Sequence, residues 1–431
     1  MRFQFSRRTK IVIYAAVAAF LIFSIYLIRG ISINTHLTIS GYVPTGHYPG
    51  YPAMNLKDKT TEQIAEIKRG EYLVKAGDCI ACHSAPGEGN QAFAGGLPMQ
   101  TPFGVVYSQN ITPDKETGIG SWSDQDFIRA FHEGISPQGE YYYPAFPYYY
   151  FSQVTVADVL AIRAYLNSIP AVKHPNHSNS MIFPFNWRFL QLGWRILFFY
   201  PNHTGPYQND AAQSAKWNRG KYLVEGLGHC AMCHTPSYYL IVENVSLGAP
   251  IRKYHLTGAV VEGYLAPNIT KSNLGAIPDQ ELLKVFKQYE MIGGNAVQGP
   301  MSEAIHDSLE LLTDDDLLAI IAYMKSVEST IPVQPAARAT DVGKVIYDNY
   351  CSGCHNSGVG GAPRIDNAAG WEALANSGLK KLYNIAIHGG GNMPAKGTCI
   401  TCSDYQVTLA VDYMVSESQK KSKSAKTSKG K

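Results

Sequence analysis

A chain of 431 residues has room for two to four domains, and 45% hydrophobic with 16% charged residues is the balance of a chain that folds. The formal charge of +3 hides a split: residues 1–30 carry five basic groups, residues 420–431 carry six lysines, neither end has an acidic group, and residues 31–419 stand at −8. Basic charge at the two ends instead of on the folded body argues against nucleic-acid binding.

Arg7, Arg8 and Lys10 precede residues 11–28, an uncharged run of eighteen. As a helix it would be about 27 Å long, near the thickness of a bilayer's hydrocarbon core. Residues 28–32 offer no good small-x-small cleavage site, so residues 1–30 are expected to be a cytoplasmic N-terminus and an uncleaved transmembrane anchor, with a cleaved signal peptide as the alternative. Residues 31–60, rich in Gly, Pro and Tyr, read as an extended linker.

A repeat then begins. Arg69-Gly-Glu-Tyr-Leu-Val74 leads into Cys79-Ile-Ala-Cys82-His83; Arg219-Gly-Lys-Tyr-Leu-Val224 leads into Cys230-Ala-Met-Cys233-His234; Val342-Gly-Lys-Val-Ile-Tyr347 leads into Cys351-Ser-Gly-Cys354-His355. A lone pentapeptide of this kind could be a zinc half-site or a redox dithiol. Three of them, using six of eight cysteines, read as sites for three covalently attached haem c groups. Each cysteine pair forms thioethers to the haem, and His83, His234 and His355 are the proximal iron ligands. Each opening stretch reads as a helix whose glycine permits a close crossing. Thr155, Thr313 and Ser403 read as caps of closing helices over 156–167, 314–325 and 404–415, each with a tyrosine ten residues after the cap.

The expected architecture is therefore all-α: three tandem class I cytochrome c-type domains, at 61–170, 212–330 and 338–418, behind one transmembrane helix. Between the first two, residues 171–211 carry Phe183, Phe185, Trp187, Phe189, Trp194, Phe198 and Phe199. Pro184, Arg188 and Arg195 break this run too often for a membrane span. It is either a connector packed across a domain junction or a surface against a membrane or membrane-bound partner. The Lys/Ser tail, 419–431, reads as disordered.

The sixth ligands come from loops ahead of the closing helices: Met301 in Gly299-Pro300-Met301, and Met393 in Gly391-Asn392-Met393-Pro394. The first domain has Tyr143-Pro144-Ala145-Phe146-Pro147 there, and phenylalanine cannot coordinate iron. Its sixth ligand stays unknown, with His132 foremost among His132, His174, His177 and Met99. An open position under Phe146, or a donor from a neighbouring domain or subunit, are the alternatives. Cys399 and Cys402 remain; in an oxidising compartment they are candidates for a local disulfide.

Residues 60–330 resemble the membrane-bound multihaem cytochrome c subunits of periplasmic alcohol, aldehyde and gluconate dehydrogenases. The likeness lies in Pro102-Phe-Gly104, Asn110-Ile-Thr-Pro-Asp114 running to Gly120, Tyr143-Pro144, Pro147-Tyr148, Cys233-His-Thr-Pro236, Pro267-Asn-Ile-Thr270 and Gly299-Pro-Met301. Residues 338–418 are similar instead to a cytochrome c5-type module, through Gly361-Ala-Pro363, Trp371 and Met393-Pro running to Cys399-x-x-Cys402. That second likeness implies a Cys399–Cys402 disulfide beside the haem. Phe146 and the third module both depart from the dehydrogenase-subunit pattern.

The resemblance implies an electron-transfer protein, not a catalyst, held in the bacterial inner membrane with its domains in the periplasm. Its donor would be a periplasmic dehydrogenase or another redox protein, and its acceptor a quinone, a soluble cytochrome or a terminal oxidase. The rival is an oxidoreductase using an open site at the first haem on peroxide, a nitrogen oxide or a sulfur species. A haem-based sensor would need an output domain, and the tail offers none.

Overall fold

The computed structural model describes residues 49–86, 90–101, 103–239, 246–261, 264–289, 297, 299–328, 343–344, 346–376, 378–399 and 407–418. The expected anchor at 11–28 and the tail from 419 lie outside them, and no described helix is long and apolar enough to cross a membrane. The chain divides into two compact units. The first is Met1–Val74, Cys79–Tyr207 and Ser237–Ala249; the second is Lys75–Asp78, Gln208–Pro236 and Pro250–Lys431. The first unit holds the first Cys-x-x-Cys-His motif and the second unit holds the other two.

One packing device recurs at all three motifs. The opening helix crosses the closing helix at its glycine, so tightly that no side chain fits. A Cβ on Gly70 would stand 1.8 Å from the carbonyl oxygen of Ala161, one on Gly220 1.9 Å from that of Ala319, and one on Gly343 2.2 Å from that of Leu409. The closing-helix tyrosine, Tyr165, Tyr323 or Tyr413, presses on the same spot, its Cβ at about 3 Å in each case. Glycine is therefore a condition of the crossing and not merely a helix start.

The first two crossings carry an ion-pair clasp one residue earlier. Arg69 Nε donates to Asp158 at 2.6 Å, and Arg219 grips Asp316 with two bonds of 2.8 and 2.7 Å. Asp158 and Asp316 stand in the first turns of the closing helices, Val156–Leu166 and Asp314–Met324, where carboxylates also suit the helix dipole. Thr155 and Thr313 cap these helices, each hydroxyl accepting from the backbone N–H three residues on. Ser403 lies outside the described residues; the third closing helix is described over 407–418. The inward faces are apolar. Val159, Ile162, Tyr165 and Leu166 are all buried, each contributing roughly 1.5–3 kcal/mol of transfer free energy.

The fold is helical but not all-α. In the first unit, strands β1 (Pro98–Thr101), β2 (Gly104–Tyr107) and β3 (Ser180–Met181) form an antiparallel sheet in the order β1-β2-β3, with Met99 opposite Val106. Two further two-stranded sheets involve Ser237–Tyr239 with Ser246–Pro250, and Ala259–Val261 with Tyr264–Ala266. These strands are two to five residues long and hold loops around the motifs, too short for alternation to show in the sequence.

The aromatic stretch is helical from Arg188 to Asn202 and is fixed to the first unit by a buried cation. Arg195 is 1% exposed; its guanidinium donates to the carbonyl of Glu133 and to the Tyr200 hydroxyl, and lies over the rings of Tyr141, Tyr148, Phe199 and Tyr200 at 4.9–5.4 Å. Phe199 is buried beside it. The outer face is apolar, with Phe189 63%, Leu197 67%, Ile196 56% and Phe183 53% exposed. The helix is thus amphipathic in the inverted sense, with its arginine inside and its aliphatic residues facing out.

Candidate haem sites

Each motif folds into a single helical turn: Cys79–His83, Ala231–His234 and Ser352–His355. A turn of this kind puts the two thiols, at i and i+3, and the histidine, at i+4, on one face. None of these six cysteines is in a disulfide. Cys399 is buried and disulfide-bonded, and Cys402 is outside the described residues.

The three histidines share one hydrogen bond. His83 Nδ1 meets the carbonyl of Gln109 at 2.8 Å, His234 Nδ1 that of Pro267 at 2.7 Å, and His355 Nδ1 that of Pro363 at 2.9 Å. A carbonyl oxygen can only accept, so Nδ1 carries the proton in all three rings and Nε2 keeps its lone pair. That is the arrangement a haem-ligating imidazole needs, with its orientation and tautomer set by the bond behind it. Burial pushes the pKa of His83 and His234 down against that hydrogen bond, favouring the neutral ring that binds metal. Paired thiols one helical turn apart, followed by an imidazole whose Nε2 keeps its lone pair, fit covalent haem.

The carbonyls are themselves held by a repeated loop. In the first site Gly95 N–H donates to His83 O at 2.7 Å and Phe93 N–H to Ser84 Oγ at 3.0 Å; in the second, Gly258 donates to His234 O at 2.7 Å and Leu256 to Thr235 Oγ1 at 2.9 Å. Asn110 and Asn268 then turn the chain. Asn110 Oδ1 accepts from the N–H and hydroxyl of Thr112 at 2.9 and 2.7 Å, and Asn268 Oδ1 accepts from those of Thr270 at 2.8 and 2.7 Å. The Asn-Ile-Thr repeat in the sequence is this Asx turn, directly after the carbonyl that orients each histidine. The carbonyls themselves could not be picked out from the sequence, because any residue type supplies one.

Behind the second motif Glu225 accepts from the Tyr323 hydroxyl at 2.6 Å and pairs with His255 Nε2 at 2.7 Å. Burial acts to raise the Glu225 pKa, but the bonds from His255 and Tyr323 and the charge of Lys221 hold it below the usual value. Neither this pair nor the orienting carbonyls are marked by any motif in the sequence.

On the expected distal side, Met301 is half-buried in the first turn of Pro300–Asp307, after Gly299 at φ +64°. Met393 is half-buried in a tight turn closed by two 3.0 Å bonds with Gly390, and packs on the core that includes Trp371 and Cys399. Phe146 is half-buried among Phe131, Phe151 and Tyr142, ring centroids 5.5–6.0 Å away.

The candidate donors for the first iron separate into two groups. Met99 is in β1, His177 lies 5.3 Å from the Tyr107 ring, and His174 packs against Gly96, next to the Gly95 whose N–H bonds the His83 carbonyl. His132 alone is on the helix Asp124–Glu133, the helix whose Phe131 packs on Phe146. It is buried, and its ring tip, Nε2, donates to the carbonyl of Val154 at 2.8 Å.

Residues 67–170 match the cytochrome c family profile, and residues 338–414 match that of cytochrome c oxidase, cbb3-type, subunit III. The gluconate 2-dehydrogenase cytochrome c subunit of Pantoea cypripedii is 33% identical over 379 residues, covering 81% of this chain and 85% of that protein. The chain belongs to the dehydrogenase cytochrome c subunits. A nicotinate dehydrogenase chain of Pseudomonas putida is 39% identical over 306 residues, 69% of this cytochrome subunit, and the match spans 25% of that protein's length. A diheme cytochrome c-type protein of Cereibacter sphaeroides is 35% identical over 270 residues, 61% of the present chain and 86% of the relative. For the C-terminal stretch of this cytochrome subunit, whose motifs resemble a c5-type module, the profile matched is the cbb3-type one.

Proposed function

We propose that this cytochrome subunit carries three covalent haems and passes single electrons from a periplasmic dehydrogenase toward a membrane quinone, a soluble cytochrome or a terminal oxidase. The observation that carries the reading is the threefold identity of the sites: two thiols, then a histidine whose Nδ1 is committed to a carbonyl. When bound, haem supplies reversible one-electron exchange. The chain's residues do the rest. Cysteines Cys79, Cys82, Cys230, Cys233, Cys351 and Cys354 fix the groups, His83, His234 and His355 ligate, and Met301 and Met393 complete two of the three irons. Cys399 pairs with Cys402.

The chain is anchored in the inner membrane by residues 11–28, with residues 31–418 in the periplasm, and the apolar outer face of the 188–202 helix rests on the same bilayer. The test is a haem count per chain in the full-length protein, before and after serine replaces both cysteines of one motif. Three haems falling to two with each pair supports the reading; two haems in the unsubstituted protein sinks it. Donor and acceptor are tested by stopped-flow reduction with a purified dehydrogenase and reoxidation by a short-chain quinone.

A further inference from the structure

Equivalent positions in the first two haem sites separate structural residues from ligands. Lys287, on the helix Asp279–Gln288, donates its Nζ to the carbonyl of Leu312 at 2.7 Å, and Leu312 immediately precedes the cap Thr313. His132, on the corresponding helix, donates Nε2 to the carbonyl of Val154, which immediately precedes the cap Thr155. The two side chains do one job: they tie the distal helix to the start of the closing helix. A lysine does this where Met301 is present to serve as ligand, so a histidine here is not thereby a ligand.

The remaining candidate donors of the first unit lie on other segments. Met99 is in β1, and His174 and His177 pack on Gly96 and on the Tyr107 ring, in the segment that runs to the Gln109 carbonyl bonded to His83; the His174 ring keeps a buried Nδ1 with no hydrogen-bond partner among the described residues. The Tyr143 hydroxyl donates to the carbonyl of Phe185 at 2.8 Å, and the His203 ring packs against Phe199 at 4.9 Å. At the place of Met301 and Met393 stands Phe146, enclosed by Phe131, Phe151 and Tyr142. Among the described residues nothing else is offered from that loop.

We propose that the first haem iron receives no ligand from this chain on its Phe146 side, and that this face is a binding site for a small uncharged diatomic molecule. An aromatic surround disfavours a hydrated anion, since the hydrocarbon rings of Phe131, Phe146 and Phe151 do not replace its lost solvation, whereas carbon monoxide, nitric oxide or dioxygen gives up almost none. His132 is a positioning residue. The inference rests on the three-haem reading above.

The experiment uses the full-length haem-loaded protein. Dithionite-reduced protein is titrated with carbon monoxide by visible absorption, ferric protein is examined by electron paramagnetic resonance, and haem is counted separately. One carbon monoxide per three haems, with one high-spin ferric signal in three, is the expected result. Phe146→Met should turn that signal low-spin and abolish uptake, while His132→Lys, copying Lys287, should leave both unchanged. Three haems with three low-spin signals and no uptake would overturn the inference, as would a low-spin signal lost in His132→Lys. Fewer than three haems would instead overturn the reading on which it rests.

Discussion

Asn110 shows how much one side chain can hold. It is 2% exposed, its oxygen closes the turn to Thr112, and its amide donates to Thr117 and to the carbonyl of Val172 at 3.1 and 2.8 Å. Asn110→Ala leaves those buried groups unpaired and should cost about 1–3 kcal/mol in chemical denaturation of the haem-loaded protein. The Gln109 carbonyl, one residue before, would lose its fixed position, so the midpoint potential of one haem should shift while the other two hold. A second residue-scale effect concerns Glu225. Its folded pKa lies below the ordinary glutamate value of 4.5, so the pair with His255 contributes stability that is fully present above that value and is lost as pH falls through the folded pKa. Glu225→Gln should flatten the acid limb of the stability–pH curve below about pH 4.5, measured by denaturant midpoints at constant ionic strength.

Elements meet here through glycine more than through complementary side chains. Gly220→Ala drives a Cβ into the Ala319 carbonyl at 1.9 Å, a backbone atom that cannot swing aside, and should cost about 1–3 kcal/mol by overpacking. Thr313→Ala, which removes only the cap, should cost about 1 kcal/mol. The ordering of these two losses in thermal melts is the check. Much of this level was legible beforehand. The glycines, the tyrosines ten residues past each cap and the caps themselves recur with fixed spacing, and they fix which helices cross and where. The short strands were not legible, because pairs such as Val105 with Ser180 are joined by backbone bonds between distant segments, and no residue type marks them. The role of His132 was legible only in half: its place two residues before Gly134, which ends the helix, is plain in the sequence, but the carbonyl its ring faces is not.

At the scale of the whole molecule, the inverted amphipathic helix leaves an apolar face uncovered among the described residues. Phe189, Leu197 and Ile196 are more than half exposed, while the arginine of the same turns is fully enclosed. Phe189→Ser with Leu197→Ser should leave the haem spectrum intact and lower labelling of residues 183–202 by a lipid-soluble photoreactive probe in reconstituted vesicles. Equal labelling in both forms would mean that this face does not enter lipid.

The glycine crossings also bear on the order in which the protein is made. Arg69 waits for Asp158, 89 residues downstream, and Arg219 for Asp316, 97 residues downstream. A chain emerging from its N-terminus displays each cysteine pair long before the helix that will clamp the preceding segment exists. Until then each cysteine pair stands on a chain whose closing helix cannot yet clamp it. Sequence distance works as a delay line: each crossing, where an added Cβ would stand 1.8–2.2 Å from a backbone carbonyl oxygen, closes only once its downstream helix has been made.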